Sequence, residues 1–186
     1  MEDHSEYLYA GQRQKRPGLE PFPVRGIAFD SSHSHRWALM LYSLAAAADA
    51  PASRQFFEAL QKGLERQFTD TVLVPPDTEV PVWRTRNYMD GRNGLYRWDP
   101  ATTTGVGPFE LSGVIPAGGW WSFLGSQRIQ NAFSDQASRF PLTLPALNVY
   151  APVSGRDVHP LLTSPDYFTN GFAELHMRLA ASVCLQ

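Results

Sequence analysis

The sequence predicts an all-α, mainly helical protein built from antiparallel helical hairpins joined by long loops. Several segments repeat apolar residues every three to four positions, which is the period of an amphipathic α-helix. Two of these segments are separated by only a few residues, so we expect them to fold back on each other. The 186 residues include 14 Gly and 15 Pro, an excess that predicts long ordered loops.

The composition is that of one globular domain. With 43% hydrophobic and 18% charged residues, the chain is neither disordered nor a coiled coil. We expect an irregular N-terminal arm over 1–29, because Pro17, Pro21 and Pro23 interrupt any regular period there. A single helical domain is expected over 30–186.

The first helix is expected over 35–48 and the second over 51–69. Ser32 or Ser34 can cap the first helix, and Pro51 suits the first position of the second. Their short connection predicts an antiparallel hairpin. The apolar faces consist of Trp37, Leu41 and Leu44 in the first helix and of Phe56, Phe57, Leu60, Leu64 and Phe68 in the second.

Segment 70–108 contains too many Gly and Pro residues for a long helix. Short strands are expected at 80–83 and 95–98, with Asn93-Gly94 as a tight turn between them. The remaining helices are expected over 109–124, 127–139 and 165–185. The first of these, the third helix of the chain, has few polar positions, so we expect it to be buried all round, including Trp120 and Phe123.

Several classes of function find no support in the sequence. A net charge of −2 and only two lysines provide no field to attract nucleic acid. No apolar run approaches the roughly 20 residues of a membrane span, and the polar N-terminus lacks a secretory pattern, which predicts a cytoplasmic protein. Motifs for nucleotides, hydrolase elbows and zincins are absent, so no cofactor is expected. The single cysteine, Cys184, is expected to be a buried helix residue.

Segment 83–98 holds the densest group of chemically active side chains, with four Arg, four aromatic residues and two Asn. Aromatic faces stack on sugar rings, while Arg and Asn bind hydroxyl and carboxylate groups. A purely structural role, as turn formers, core aromatics and arginines that bridge loop carbonyls, stays open beside this reading. The candidate ligand-binding residues are Trp83, Arg84, Arg86, Asn87, Tyr88, Arg92, Asn93, Tyr96, Arg97 and Trp98.

Two carboxyl groups are candidates for acid/base chemistry. Glu110 has apolar sequence neighbours, and the resulting desolvation would favour its neutral form. Asp90 lies between Arg86 and Arg92 and is expected to stay ionised. Such a pair suits hydrolysis of a glycosidic bond. Alternatively, Glu110 pairs with one of those arginines or caps the third helix.

A third cluster precedes the first helix. His33 and His35 would lie on one face of an extended backbone, as a metal site requires, with Asp30 or His159 as a third ligand. The competing interpretation is a polar start of the helix. We assign no metal site on this pattern.

The chain resembles part of an α/α-toroid carbohydrate-active protein. The resemblance covers about residues 30–185 and rests on the helical hairpin, Arg-Asn-Tyr-Met-Asp-Gly-Arg-Asn-Gly-Leu-Tyr-Arg-Trp at 86–98, Gly-Pro-Phe-Glu-Leu-Ser at 107–112 and the Trp-Trp segment. In that family helical hairpins form a ring, and the loops at one end bind glycans. The resemblance implies Asp90 and Glu110 as candidate carboxylates. It implies Trp83, Tyr88, Tyr96, Trp98, Trp120 and Trp121 as candidate stacking residues.

The resemblance therefore implies a glycoside hydrolase or a fragment of one, with a glycan or another hydroxyl-rich molecule as its ligand. The alternative is a non-catalytic helical module that binds a glycan or a protein. A full ring needs about twice the five helices expected here, which would leave apolar faces at both ends of the bundle. We therefore expect the chain to form homo-oligomers or to dock onto another chain.

Overall fold

The computed structural model describes residues 4–152 and 166–183. Helices are the largest class of regular structure, which confirms the mainly helical prediction. The all-α prediction is wrong in its strict form, because the loop region folds into two small antiparallel sheets. The α-helices are α1 (Ser31–Ser34), α2 (Arg36–Ala47), α3 (Pro51–Gln67), α4 (Val114–Gly118), α5 (Gln127–Ser138), α6 (Leu144–Tyr150), α7 (Asp166–Thr169) and α8 (Phe172–Ala181).

Helices α2 and α3 form the expected hairpin and pack against each other. Neither Ser32 nor Ser34 caps α2, because its N-cap residue is His35, which makes no capping side-chain hydrogen bond. Asp30 instead caps the preceding α1, where its Oδ1 accepts from the His33 N–H at 3.0 Å. Pro51 occupies the start of α3 as predicted, and a π-helical turn over Phe68–Val72 continues that helix. No residue of α3 is fully buried, so this helix lies at the surface of the protein.

The helix expected over 109–124 is broken. Its middle forms α4, and Gly119 then adopts a left-handed conformation with φ of 59° before a 3-10 helix over Trp120–Leu124. Because of this break, the side chains of the two neighbouring tryptophans differ in their exposure to solvent. Trp121 is 1% exposed, whereas Trp120 is 37% exposed, so the prediction that Trp120 is buried is wrong.

The strands are short and pair differently from the prediction. Strand β1 (Leu73–Val74) pairs with β2 (Arg84–Thr85), and β3 (Tyr96–Asp99) pairs with β4 (Thr104–Val106). Segment 80–83 forms no strand, so the expected hairpin around Asn93-Gly94 is absent. The chain after β3 turns back on itself at 100–103, which provides a nearer partner than the distant segment 80–83.

The largest core cluster joins α2, the π-helical turn, α5 and α8. A second cluster packs the N-terminal arm on the 88–111 region through Tyr7, Ala10 and Ile27. Helix α6 buries Ala146 and Tyr150 beside Phe168 in a third cluster. The sequence did not predict α6, because seven residues are less than two turns and display little periodicity.

The last predicted helix, over 165–185, is divided into α7 and α8. Gly171 separates them with φ of 93°, a conformation that interrupts a right-handed helix. The prediction for Cys184 lies outside the described residues.

Candidate functional site

The 83–98 loop has an internal scaffold made by two asparagine side chains. Asn87 is fully buried, and its Nδ2 donates to the carbonyls of Gly94 and Gly107 at 2.8 Å each. Asn93 accepts the Asn87 N–H through Oδ1 at 3.2 Å. Because a buried amide without partners costs free energy, these bonds fix the path of the loop. Asn87 therefore faces the protein interior and not a ligand.

The aromatic residues of the loop are mostly buried. Tyr88, Tyr96 and Trp98 are at most 5% exposed, and the Tyr88 hydroxyl donates to the Leu95 carbonyl at 2.6 Å. Burial raises the pKa of Tyr88 and Tyr96 well above the usual value, so both remain protonated. The indole N–H of Trp83 donates to a carboxylate on α5 at 2.7 Å. These rings form core, in line with the structural interpretation that the sequence left open.

Arg84 and Arg97 are held by ion pairs and lie over aromatic rings within the protein. Arg84 is 7% exposed and donates to Asp77 Oδ2 at 2.6 Å. The Arg97 guanidinium pairs with Glu6 and lies 5.1 Å from the centroid of the Tyr96 ring. Arg97 thus connects its strand to the N-terminal arm, and the Arg84 guanidinium lies 4.9 Å from the centroid of the Phe109 ring. Both are structural uses of Arg.

The carboxylate of Asp90 organises a turn. Its Oδ1 accepts the Arg92 N–H at 2.9 Å, and its Oδ2 accepts the Ala28 N–H at 3.1 Å. The Arg92 guanidinium adds an ion pair at 3.2 Å. Gly91 supplies the positive φ of 89° that this turn requires. Asp90 thus fastens the loop to the arm.

Glu110 also fastens the arm. Its Oε2 accepts the Gly107 N–H at 2.6 Å and forms an ion pair with Lys15. The expected ion partner was an arginine, but the arm brings a lysine instead. The Glu110 side chain is 22% exposed, so it lies at the edge of the protein and not in the deep apolar setting that the sequence predicted.

Between the arm and the loop lies a cleft of about 430 Å³, here called the arm cleft. Three arginines, Arg13, Arg86 and Arg92, line it together with small and apolar residues. The Arg86 guanidinium donates to the Thr71 carbonyl, which fixes its position. The lining consists of Ala10, Gly11, Arg13, Val24, Arg86, Gly91, Arg92, Asn93, Gly94 and Phe109.

The arm cleft unites part of the predicted site with a residue that the sequence did not single out. Arg86, Arg92 and Asn93 were predicted, and Arg13 was not. Arg13 lies in the arm, about 70 residues away in sequence, and no local pattern connects it to the loop. The carbonyl of Gln12, next to Arg13, accepts the Leu95 N–H at 2.8 Å and so holds this part of the arm in place.

The two histidines of the third cluster point to different places. His33 Nδ1 lies 2.9 Å from Oδ1 of the buried Asp30, whereas the His35 ring packs on Trp120. Neither arrangement gathers a metal-ligand set. Within 4–152 and 166–183 no group of three or more His, Cys, Asp or Glu side chains is placed to hold a metal ion.

Comparison with protein families, with curated proteins and with solved structures found no significant match to this chain. The helices of the described ranges also lack the combination of length and apolar character that a membrane span requires.

Proposed function

We propose that this protein is a non-catalytic module that binds an acidic, hydroxyl-rich ligand, such as a glycan with carboxylate groups, in the arm cleft. The observation that supports the proposal is the convergence of Arg13, Arg86 and Arg92 on one cleft. Guanidinium groups bind carboxylates through paired hydrogen bonds, and three of them in one place favour an anion over a neutral ligand.

The remaining lining suits a sugar ring. Phe109 and Val24 form an apolar wall on which the face of a sugar ring can pack. A volume of about 430 Å³ lies in the usual range for small-ligand sites. Asp90 neutralises part of the charge of Arg92, which leaves Arg13 and Arg86 as the main cationic groups.

The contacts of the two carboxylates support binding over hydrolysis. Asp90 accepts two backbone N–H groups, and Glu110 accepts one and pairs with Lys15. A general acid or base must reach the substrate and exchange a proton with it. Carboxylates that fasten the arm by accepting hydrogen bonds suit that task poorly. A glycoside hydrolase that uses Asp90 and Glu110 is the competing proposal.

Calorimetry with an oligogalacturonate and with a neutral oligosaccharide of the same length tests the binding proposal. We expect the acidic ligand to bind and the affinity to fall with added salt. The Arg13→Gln variant should bind about tenfold more weakly, because a charge-assisted contact is lost. Arg16→Gln is the matched control, since Arg16 is an exposed arginine of the same arm outside the cleft. Equal binding of both oligosaccharides would contradict the proposal.

A reducing-end assay on the same ligands separates the two proposals. The binding module predicts no new reducing ends after long incubation. Hydrolysis by the wild type that disappears in Glu110→Gln, while Arg13→Gln retains it, would favour the hydrolase and overturn the binding proposal.

A further inference from the structure

Trp120 borders two small cavities that are separate from the arm cleft. The first, of about 220 Å³, is lined by Ser32, His35 and Arg36 and is here called the His35 cavity. The second, of about 280 Å³, contains Leu179 and is called the Leu179 cavity. Both have Ala117, Gly118 and Trp120 in their walls, so one indole borders the two spaces.

His35 supplies a buried polar group to the first cavity. Its ring contacts the edge of Trp120, with centroids 5.1 Å apart and an interplanar angle of 72°. Its Nδ1 atom is buried and makes no hydrogen bond of normal geometry, so its contact with the Ser32 backbone is poorly aligned. Burial lowers the pKa of His35 to about 4, so the imidazole is neutral near pH 7.

Arg36 supplies the charge. Its side chain is exposed, and it forms no ion pair with any residue that the structure describes. Among the residues that the structure describes, no carboxylate lines the His35 cavity, whose other walls include Val114 and Ala117 beside Trp120. A guanidinium at the rim of a largely apolar space favours a ligand with one anionic end.

The second cavity is more apolar than the first. Phe123, Leu179, Ala180 and Val183 form most of its wall. His176, the titratable side chain among the lining residues in the described ranges, is already hydrogen bonded through Nδ1 to the Tyr167 hydroxyl. Sugar hydroxyls buried there would lose water and find few partners, which costs free energy. An aromatic or aliphatic group would instead gain from burial.

We propose that the two cavities form one site for a small monocarboxylate with an aromatic or aliphatic body. The carboxylate pairs with Arg36 in the His35 cavity, and the body lies against Trp120 and extends into the Leu179 cavity. This site does not depend on the proposed function of the arm cleft, because none of its lining residues belongs to that cleft.

Gly118 provides a sharp test of this site. A Cβ at this position would lie 3.5 Å from His35 Cδ2, 3.6 Å from His35 Nε2 and 3.6 Å from Trp120 Cδ1. These are ordinary van der Waals distances, so an alanine methyl fits without a clash. The methyl would nevertheless project from the wall that the two cavities share, beside the imidazole and the indole. Gly118→Ala therefore narrows the site at its middle while the fold is preserved.

Calorimetry and saturation-transfer NMR with 3-phenylpropionate measure the binding. We expect wild-type protein to bind it with a dissociation constant of about 1 mM or lower. Gly118→Ala and Arg36→Gln should each weaken binding by about tenfold or more. Arg66→Gln, an exposed arginine on α3 outside both cavities, is the control and should bind as the wild type does. A melting temperature of Gly118→Ala at or above that of the wild type verifies its fold.

Two further probes decide the ligand class. The alcohol 3-phenylpropan-1-ol has the same body without the charge and should bind at least about tenfold more weakly. Methyl glucoside should not compete. The proposal is overturned by no binding of 3-phenylpropionate at about 10 mM, by unchanged binding in Gly118→Ala, or by preference for the glucoside.

Discussion

The indole of Trp121 stacks on the ring of Phe68, with centroids 4.0 Å apart and planes inclined by 12°. Trp121 belongs to the 3-10 helix after α4, and Phe68 begins the π-helical turn after α3. Both rings are almost fully buried in the main core. We expect Trp121→Ala to lower the free energy of unfolding by about 3–5 kcal/mol, because it leaves a large cavity. Chemical denaturation measures this loss.

Trp120→Ala is the matched control for this prediction. Trp120 is its neighbour in sequence but is 37% exposed, and its ring contact with His35 contributes about 1 kcal/mol. Because part of its surface already meets water, we expect a loss of about 1–3 kcal/mol, below that of Trp121→Ala. Equal losses in the two variants would contradict the placement of the two rings.

The long helices could be predicted from sequence because their apolar stripes are long. Helices α2, α3 and α5 begin and end within a few residues of the predicted bounds. The segment 109–124 has no such stripe, since nearly all its positions are apolar or Gly. Periodicity therefore could not tell that Gly119 turns Trp120 outward and Trp121 inward.

The candidate site was harder to predict, because the same residue types serve folding and binding. Asn87 and Tyr88 have the composition of a ligand site, yet their polar groups bond to the backbone of their own loop. What decides their role is the N-terminal arm, which covers the loop. In the arm, Lys15 pairs with Glu110, and the Gln12 carbonyl accepts the Leu95 N–H. Sequence patterns do not reveal contacts between residues so far apart in sequence.

Gly94→Ala tests how the arm is held. A Cβ on Gly94 would lie 1.7 Å from the Ala10 carbonyl oxygen and 2.8 Å from that of Gln12, so the arm must move away. We expect a loss of stability of about 1–3 kcal/mol or more, as for other overpacked sites. Trypsin should then cleave the arm near Arg13 and Lys15 faster than in the wild type. Binding in the arm cleft should weaken as well.

Gly63→Ala is the control for that substitution. Gly63 lies within α3, and a Cβ there has no neighbour within 4 Å. Because Ala favours a helix interior over Gly, stability should rise by about 0.5–1 kcal/mol, with trypsin cleavage of the arm unchanged. If trypsin cleaved the arm of Gly94→Ala at the same rate as that of the wild type, the close packing at Gly94 would not be what holds the arm.

His35 predicts a pH dependence of stability. Burial lowers its pKa to about 4 in the folded protein from the usual value of 6.5. Below pH 6.5 the unfolded chain takes up a proton that folded His35 does not, so stability falls as the pH decreases to about 4. The contribution of His35 to stability is fully present above pH 6.5, and the free energy of unfolding lost at low pH is at most about 3 kcal/mol. Urea unfolding at a series of pH values measures it.

His35→Gln should remove this contribution, because glutamine does not titrate in this range. Comparison with His33→Gln controls for the neighbouring imidazole, which faces Asp30 instead. The slope of stability between pH 4 and 6.5 should flatten in His35→Gln only. A slope equal to that of the wild type would show that His35 titrates normally in the folded protein.

Self-association is predicted by the apolar character of α2. This helix is apolar around most of its circumference, yet only Ala38, Leu41 and Ala45 are buried in it. A helix of that composition is usually buried on all sides. A second copy that covers the exposed residues would remove them from water. These residues are Trp37, Met40 and Leu44 on α2 and Phe56 and Leu60 on the adjacent α3.

Sedimentation at micromolar concentration should therefore reveal a dimer or a larger assembly. The double variant Met40→Gln/Leu44→Gln should shift it toward the monomer, since it makes two exposed positions of the stripe polar without disturbing the core. Ala46→Gln changes an exposed position of the same helix that lies about 120° or more around the helix axis from Met40 and Leu44, and it should leave the assembly intact. A wild type that stays monomeric across the concentration range, or an equal effect of Ala46→Gln and of the double variant, would exclude α2 as the contact between copies.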